Sequence, residues 1–165
     1  MKGTRIWATG VCCLILGSAF AADFKMGVVD LQRIMQTSPQ MKVIQEKLEK
    51  NFKPRRDKLI TMEEHLKSEM EQFKRDTAIM SQTQKKTLEK KIIADQQNFE
   101  RQGQQYQQEL STAHNESMEE LYGKIRNAIT TVAKNSHYEV ILQKEAAPYS
   151  APTLDVTDQV LKEMG

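Results

Sequence analysis

The fold is decided by a long charged stretch whose first part reads MKVIQEKLEKNFKPRRDKLITMEEHLKSEMEQFKRDTAIM (residues 41–80). Its apolar residues recur at intervals of three and four, and the pattern continues to Asn135. In order they are Ile44, Leu48, Phe52, Leu59, Met62, Leu66, Met70, Phe73, Leu88, Ile92, Phe99, Tyr106, Leu110, Met118, Leu121, Ile125, Ile129 and Val132. This spacing puts a narrow apolar stripe on one face of an α-helix, as in the seam of a coiled coil. Residues 41–135 are therefore predicted to form a helical arm.

The stripe also predicts that the arm folds back on itself near Ile79. Apolar residues lie in pairs at equal sequence distances on either side of Ile79, so one antiparallel register brings every pair to the same height. The pairs are Leu48 with Leu110, Phe52 with Tyr106, Leu59 with Phe99, Leu66 with Ile92 and Met70 with Leu88. Ser81 followed by Gln84 matches a capping box, which places the turn at residues 77–81 and the returning helix after it.

The outgoing helix has its own start signal, with Ser38 as N-cap and Pro39 at the first helical position. At about 1.5 Å per residue, the two helices would be roughly 55 and 80 Å long. A compact domain of this chain length has a radius of gyration of only about 15 Å. The hairpin is therefore expected to project from a small body.

The N-terminal segment Met1–Ala21 has the composition of a secretory signal peptide. Lys2 and Arg5 are basic, and residues 6–20 are apolar without a charge. We expect cleavage before Ala22. The alternative is a retained membrane anchor, although the apolar run is shorter than the roughly 20 residues that a spanning helix needs.

Cleavage would leave a neutral chain without cysteine. Cys12 and Cys13 both fall in the removed segment, so neither disulfide nor thiolate chemistry is expected in the mature protein. Removing Lys2 and Arg5 from the 24 basic residues leaves 22, which the 22 acidic residues balance. An exported, neutral chain is a poor candidate for binding nucleic acid, because that binding depends mainly on positive charge.

The two ends of the mature chain, residues 22–40 and 136–165, are expected to form the body. The expected elements are a strand at Phe24–Val29, a short helix with Asp30 as N-cap that runs through Gln36, a strand at Tyr138–Leu142, a weaker strand around Pro148–Ser150 and a last helix opened by residues 155–158. Asn135 is expected to end the long helix in the left-handed conformation. A body of about 50 residues is marginal alone. Its short strands also leave open edges, so we expect it to oligomerise.

The sequence gives little support for an enzyme. His65 and His114 stand alone on the arm, and His137 precedes a strand, so none belongs to a metal-binding sequence motif. The sequence contains neither a glycine-rich phosphate loop nor a G-x-S-x-G nucleophile elbow. We predict no catalytic, cofactor or metal site.

Residues near the turn are the candidates for contact with a binding partner. Ile79 and Met80 are expected to be exposed there, beside the basic residues Lys85 and Lys86. Basic clusters of this kind can attract anionic lipid headgroups, lipopolysaccharide or an anionic protein. The alternative is a solvated helix face with ion pairs four residues apart.

A hinge is predicted where both helices are weakest at the same height. Pro54 has no amide hydrogen, and its ring clashes with the carbonyl of Lys50. In the proposed register Pro54 lies beside Gln104, next to Gly103, and a glycine costs a helix about 1 kcal/mol relative to alanine. The alternative is a static bend at Pro54.

With these features in place, the chain resembles the Skp/OmpH family of periplasmic chaperones. The residues that carry the resemblance are VVDLQR (residues 28–33), LEKNFK (48–53), YEVIL (138–142), Tyr149 and LDVTDQVL (154–161), which flank or begin the charged hairpin. The hairpin alone is unspecific, because coiled coils resemble one another in composition. The end motifs, in this order behind a signal peptide, are much more specific.

The resemblance implies a mostly α-helical fold with a small β body, and a homotrimer in which strands of three bodies form a shared β-barrel. Val28, Val140 and Leu142 would lie in those strands. Three hairpins would then enclose a cavity that holds unfolded outer-membrane proteins in the periplasm without ATP. The neutral charge and Pro148 depart from the family pattern. A structural coiled-coil spacer or adaptor of the cell envelope is the alternative function.

Overall fold

Two long helices dominate the computed structural model, which describes residues 24–165. The elements in chain order are β1 (Met26–Val29), α1 (Leu31–Thr37), α2 (Pro39–Asp76), α3 (Gln82–Asn135), β2 (Val140–Gln143), short 3-10 turns at Lys144–Ala146 and Pro152–Leu154, and α4 (Thr157–Glu163). The expected signal peptide, Met1–Ala21, lies outside the described residues. Within residues 24–165, no helix has both the length and the apolar composition needed to cross a bilayer. The predicted fold class, mostly α with a small β body, is confirmed.

The helices begin where their capping signals predict. Ser81 N–H donates to Gln84 Oε1 over 2.9 Å, and Gln84 N–H donates to Ser81 Oγ over 3.3 Å, which completes the capping box. Ser38 accepts from the amide of Gln40 at the start of α2, and Asp30 caps α1. Each cap satisfies an amide that the helix itself cannot pair. The three predicted N-caps Asp30, Ser38 and Ser81 are confirmed.

Helices α2 and α3 form an antiparallel hairpin with a thin apolar seam. Phe52 and Tyr106 meet edge to face, with ring centroids 6.0 Å apart and planes at 74°, so this predicted pair is confirmed. Arg55 and Glu109 form an ion pair across the seam beside it. Of the ten residues in the five predicted pairs, nine are half-buried, and Met70 is exposed. A seam of two helices therefore covers its apolar side chains only in part.

The fully buried core lies at the base of the hairpin. Its members come from β1, α1, the last turns of α3 and the start of α4: Val29, Ile34, Leu121, Ile125, Ala128, Val132, Val156 and Val160. The final turns of α3 thus pack against both ends of the chain. The division into body and arm at the predicted boundaries stays a prediction.

The sheet has two parallel strands, with Met26 opposite Val140 and Val28 opposite Leu142. Strand β1 is flanked on its other side by a single bridge between Val28 and Asp155. The prediction of a third strand around Pro148–Ser150 is wrong, because within residues 24–165 no strand forms there. Pro148 offers no amide hydrogen to a sheet, and the bridge at Asp155 occupies the free edge of β1 instead.

The end of α3 also differs from expectation. The helix continues through Asn135, and the left-handed residue is His137, with φ of 58°. Tyr138 N–H donates to Ala133 O over 2.9 Å, and His137 N–H donates to Lys134 O over 3.4 Å. These two bonds make a Schellman motif whose left-handed position lies two residues after Asn135. The motif redirects the chain from α3 into β2.

The two end motifs of the sequence meet in the body. Asp30 N–H donates to Thr157 Oγ1 over 2.9 Å, and Thr157 N–H donates to Asp155 Oδ1 over 2.8 Å. Arg33 forms an ion pair of 2.5 Å with Asp158. Lys144 Nζ lies 2.7 Å from Asp30 Oδ2, and this bond lowers the pKa of Asp30. The N-terminal and C-terminal motifs are therefore joined by one network of hydrogen bonds and ion pairs.

Replacing Thr157 with valine is expected to destabilise the body. The Thr157 side chain is fully buried, and valine has nearly the same shape. Valine has no hydroxyl, so the Asp30 amide would lose its acceptor. An unsatisfied buried donor costs about 1 to 3 kcal/mol, which urea denaturation would measure. Thr157→Ser keeps the hydroxyl and is the matched control. Equal stability of the two variants would contradict this role of the hydroxyl.

Candidate binding surface of the helical arm

The arm has almost no buried core of its own. The one buried residue of α2 is the charged Glu69, and the buried residues of α3 begin only at Leu121. Between the body and the turn, the apolar residues of the seam are half-buried or exposed. The arm is therefore a long surface on which apolar groups stay within reach of solvent.

Three aliphatic side chains lie exposed one position away from the seam. Val43, Ile60 and Ile93 are 62, 47 and 48% exposed. Each follows or precedes a half-buried seam residue. Successive side chains on a helix point about 100° apart, so only one of two neighbours can face the partner helix. The residue of each pair that does not face the partner helix is consequently exposed to solvent.

A single apolar stripe does not account for these three residues, but the sequence carries a signal for them. Aliphatic doublets at 43–44, 59–60 and 92–93 cannot be buried together by one narrow seam. An apolar residue beside a seam residue therefore identifies an exposed contact point in a two-helix arm.

The turn brings Ile79 to the outer end of the arm, where it is 86% exposed. Its neighbour Met80 is half-buried, and its amide donates to Asp76 O over 3.1 Å. Lys86 is exposed, and Lys85 is half-buried. Of the four predicted contact residues, Ile79 and Lys86 are thus the most accessible. Their role in binding stays a prediction.

The predicted hinge residues lie in unbroken helices. Helix α2 continues through Pro54, and a side chain added at Gly103 would meet no atom within 4 Å outside its own helix. The contact of Phe52 with Tyr106 places the two positions at similar heights. The geometry is compatible with a hinge, which stays a prediction.

Ion pairs on the surface of α2 span Pro54. Arg56 donates to both carboxylate oxygens of Glu49, over 2.8 and 3.2 Å, and Lys53 lies 2.6 Å from Asp57. The hydrogen bond from Arg56 lowers the pKa of Glu49. These pairs link the helical turns on either side of the backbone bond that proline removes.

The body leaves strand edges and large side chains uncovered. Val28 is 3% exposed and Leu142 half-buried, but Val140 is 36% exposed. The outer edge of β2 has no partner strand within the described chain. Phe24 and Tyr149 are also exposed. An open edge with uncovered apolar groups is typical of a surface that pairs with another chain.

The family model described as "Outer membrane protein (OmpH-like)" matches residues 25–164. Proteins named "Chaperone protein Skp" are similar over nearly their whole length. The one from Blochmanniella pennsylvanica is 30% identical over 97% of this chain and 93% of its own. The protein from Pectobacterium atrosepticum is 30% identical over 95% and 96%, and the one from Escherichia coli is 29% identical over 95% and 96%.

A solved OmpH-like structure from Caulobacter crescentus shares the fold. It aligns with a TM-score of 0.77 over 99% of this chain and 89% of its own, at 18% identity. Fold, family model and relatives agree with the resemblance that the end motifs indicated. The chain belongs to the Skp/OmpH family.

Proposed function

We propose that this protein is an ATP-independent chaperone of the periplasm that keeps unfolded outer-membrane proteins soluble until they are assembled. The observation that carries the proposal is the arm itself, whose exposed aliphatic residues are spaced along otherwise polar helices. The relatives named as chaperones, matched over nearly their full length, support the same function.

The spacing of the aliphatic residues explains how such an arm could hold a chain weakly. Burying a fully exposed valine or isoleucine side chain stabilises a complex by about 1.5 to 3 kcal/mol. Ile60 and Ile93 are about half exposed, so each can add only part of that amount. Several such contacts along α2 and α3, of which α2 alone is about 57 Å long at 1.5 Å per residue, together retain a client. Because each contact is weak, the client can leave without an energy source.

Assembly would turn the arm into one wall of a cavity. The open edge of β2 and the exposed Val140 support pairing between bodies, and the family implies a homotrimer. Lys74, Arg75 and Lys86 near the turn could contact anionic lipid or lipopolysaccharide. The proposed holding function requires no catalytic site.

Site-specific cross-linking tests the function. Because residues 22–165 contain no cysteine, Ile60→Cys and Ile93→Cys can each carry one photoactivatable label. We expect both to cross-link to a β-barrel protein diluted from urea. A label at Lys162→Cys, exposed on α4 of the body, is the control and should cross-link far less. Equal cross-linking from all three labelled positions, or cross-linking to the folded barrel protein alone, would contradict the proposal and favour an adaptor.

Removing both helix-weakening residues tests the hinge. The double variant Pro54→Ala with Gly103→Ala should melt at a higher temperature, because both changes favour a helix. It should also hold a narrower range of client sizes, since the outer half of the arm would move less. Hydrogen exchange in the parent should be faster near Pro54 and Gly103 than at Leu66 and Ile92. Equally slow exchange at all four positions would exclude the hinge.

A further inference from the structure

The one buried residue of α2 is a carboxylate with an oxygen that has no partner. Glu69 is 9% exposed, and its Oε1 is paired with Lys91 of α3. Its Oε2 is buried and accepts no hydrogen bond from any described residue. A buried, unsatisfied carboxylate oxygen is costly, and native proteins usually provide such an atom with a partner.

Two further ligating groups lie close to the Glu69 carboxylate. His65 lies one helical turn before Glu69, and its Nδ1 is 3.5 Å from Glu69 Oε2. Asp95 approaches from α3, where Lys91 lies 3.1 Å from its Oδ2. One ligand atom from each of His65, Glu69 and Asp95 lies within 4.8 Å of the others. The cluster therefore joins both helices of the arm.

We propose that His65, Glu69 and Asp95 bind a divalent transition-metal ion of the Zn²⁺ class. One imidazole and two carboxylates are a ligand set that such ions accept, with a fourth position left for water. Calcium and magnesium prefer sites made of oxygen alone, so they should bind more weakly. The unpaired Oε2 of Glu69 would receive the partner that it lacks.

Lys91 would compete with the metal ion for the carboxylates of Glu69 and Asp95. Its ammonium pairs with both carboxylates, and its side chain is 52% exposed, so it can swing into solvent when an ion enters. Ligand bonds of about 2.0 to 2.2 Å require the three ligand atoms to move closer together. His65 and Asp95 have side chains that are 60 and 38% exposed, which leaves room for that change.

A bound ion would link α2 to α3 in the outer half of the arm, beyond Pro54. Sequence motifs gave no sign of it, because His65 and Glu69 are four residues apart on one helix and Asp95 comes from the other. The antiparallel register of the hairpin brings the three together. The inference does not depend on the proposed chaperone function.

Metal titration of the purified, metal-stripped protein without an affinity tag tests the site. We expect calorimetry to show one Zn²⁺ per chain, and Co²⁺ to give the visible absorption of a tetrahedral site. His65→Ala should weaken binding by at least about tenfold, a loss seen even for residues that only support a ligand. Asp95→Asn should weaken it as well. Lys91→Gln should tighten it, because the competing ammonium is gone.

The matched control is His114→Ala, which removes an exposed histidine from the same arm. This variant should bind as the parent does. Circular dichroism checks that each variant keeps its helices. The side chain of His65 is 60% exposed, so its removal should leave the helices intact. The proposal is overturned if the parent shows no saturable binding, if His65→Ala binds as tightly as the parent, or if Lys91→Gln binds less tightly.

Discussion

Ile34→Ala should lower the free energy of unfolding by about 2 to 5 kcal/mol, the range for truncating a buried isoleucine. Ile34 is fully buried in the core that joins α1 to the last turns of α3 and to α4. Removing its outer atoms leaves a cavity between elements from both ends of the chain. Urea denaturation at one fixed protein concentration measures the loss, since assembly would couple stability to concentration.

Ile60→Ala is the matched control for this result. It makes the same change on the arm, where the side chain is 47% exposed. A surface substitution of this kind usually changes stability by less than about 0.5 kcal/mol. If the two variants are equally stable, the core does not lie at the base of the hairpin.

Val140→Asp should abolish assembly into the trimer that we propose. In the single chain Val140 is 36% exposed on β2, whose outer edge is open. A monomer would therefore tolerate the change. A shared barrel would instead bury an unpaired carboxylate, at a cost of several kcal/mol in each subunit. Sedimentation equilibrium should give the mass of one chain for the variant and of three chains for the parent.

Val43→Asp provides the control for assembly, because it makes the same change at a 62% exposed position on the arm. Its mass should equal that of the parent. Leu142→Asp should act as Val140→Asp does, since Leu142 is on the same strand and pairs with Val28. A trimeric Val140→Asp protein with unchanged melting would place the shared surface elsewhere.

The hairpin could be predicted because its signals are local and repeated. Capping at Ser38 and Ser81 depends on neighbouring residues only, and the structure confirms both caps. The contact of Phe52 with Tyr106 follows from the period of the seam, which continues over many turns and leaves one register that brings the five apolar pairs to the same heights. Strong periodicity of this kind determines secondary structure and pairing together.

The remaining features depend on contacts between distant parts of the chain. The expected strand at residues 148–150 is missing because β1 receives Asp155 instead, a choice that no local signal encodes. The left-handed position fell on His137 because the Schellman motif forms two residues beyond Asn135. These outcomes depend on how the body packs, and local sequence patterns do not predict that packing.

The candidate binding surface was predictable only in part. Ile79 follows from its place in the turn, and it is 86% exposed. Ile60 and Ile93 were not predicted, because they adjoin seam residues and fall outside the three-and-four spacing of the stripe. Burial of Glu69 could not be foreseen, since a glutamate on a helix of alternating charges is usually solvated.

Light scattering measures whether the arms hold unfolded outer-membrane proteins. A β-barrel protein is diluted from urea into rising concentrations of this protein, without ATP and across a range of salt concentrations. Aggregation should be suppressed at near-stoichiometric amounts. Suppression should persist at high salt, because residues 22–165 carry equal numbers of basic and acidic residues and the exposed contacts are aliphatic. If aggregation is unchanged at every salt concentration, the arms do not hold unfolded outer-membrane proteins.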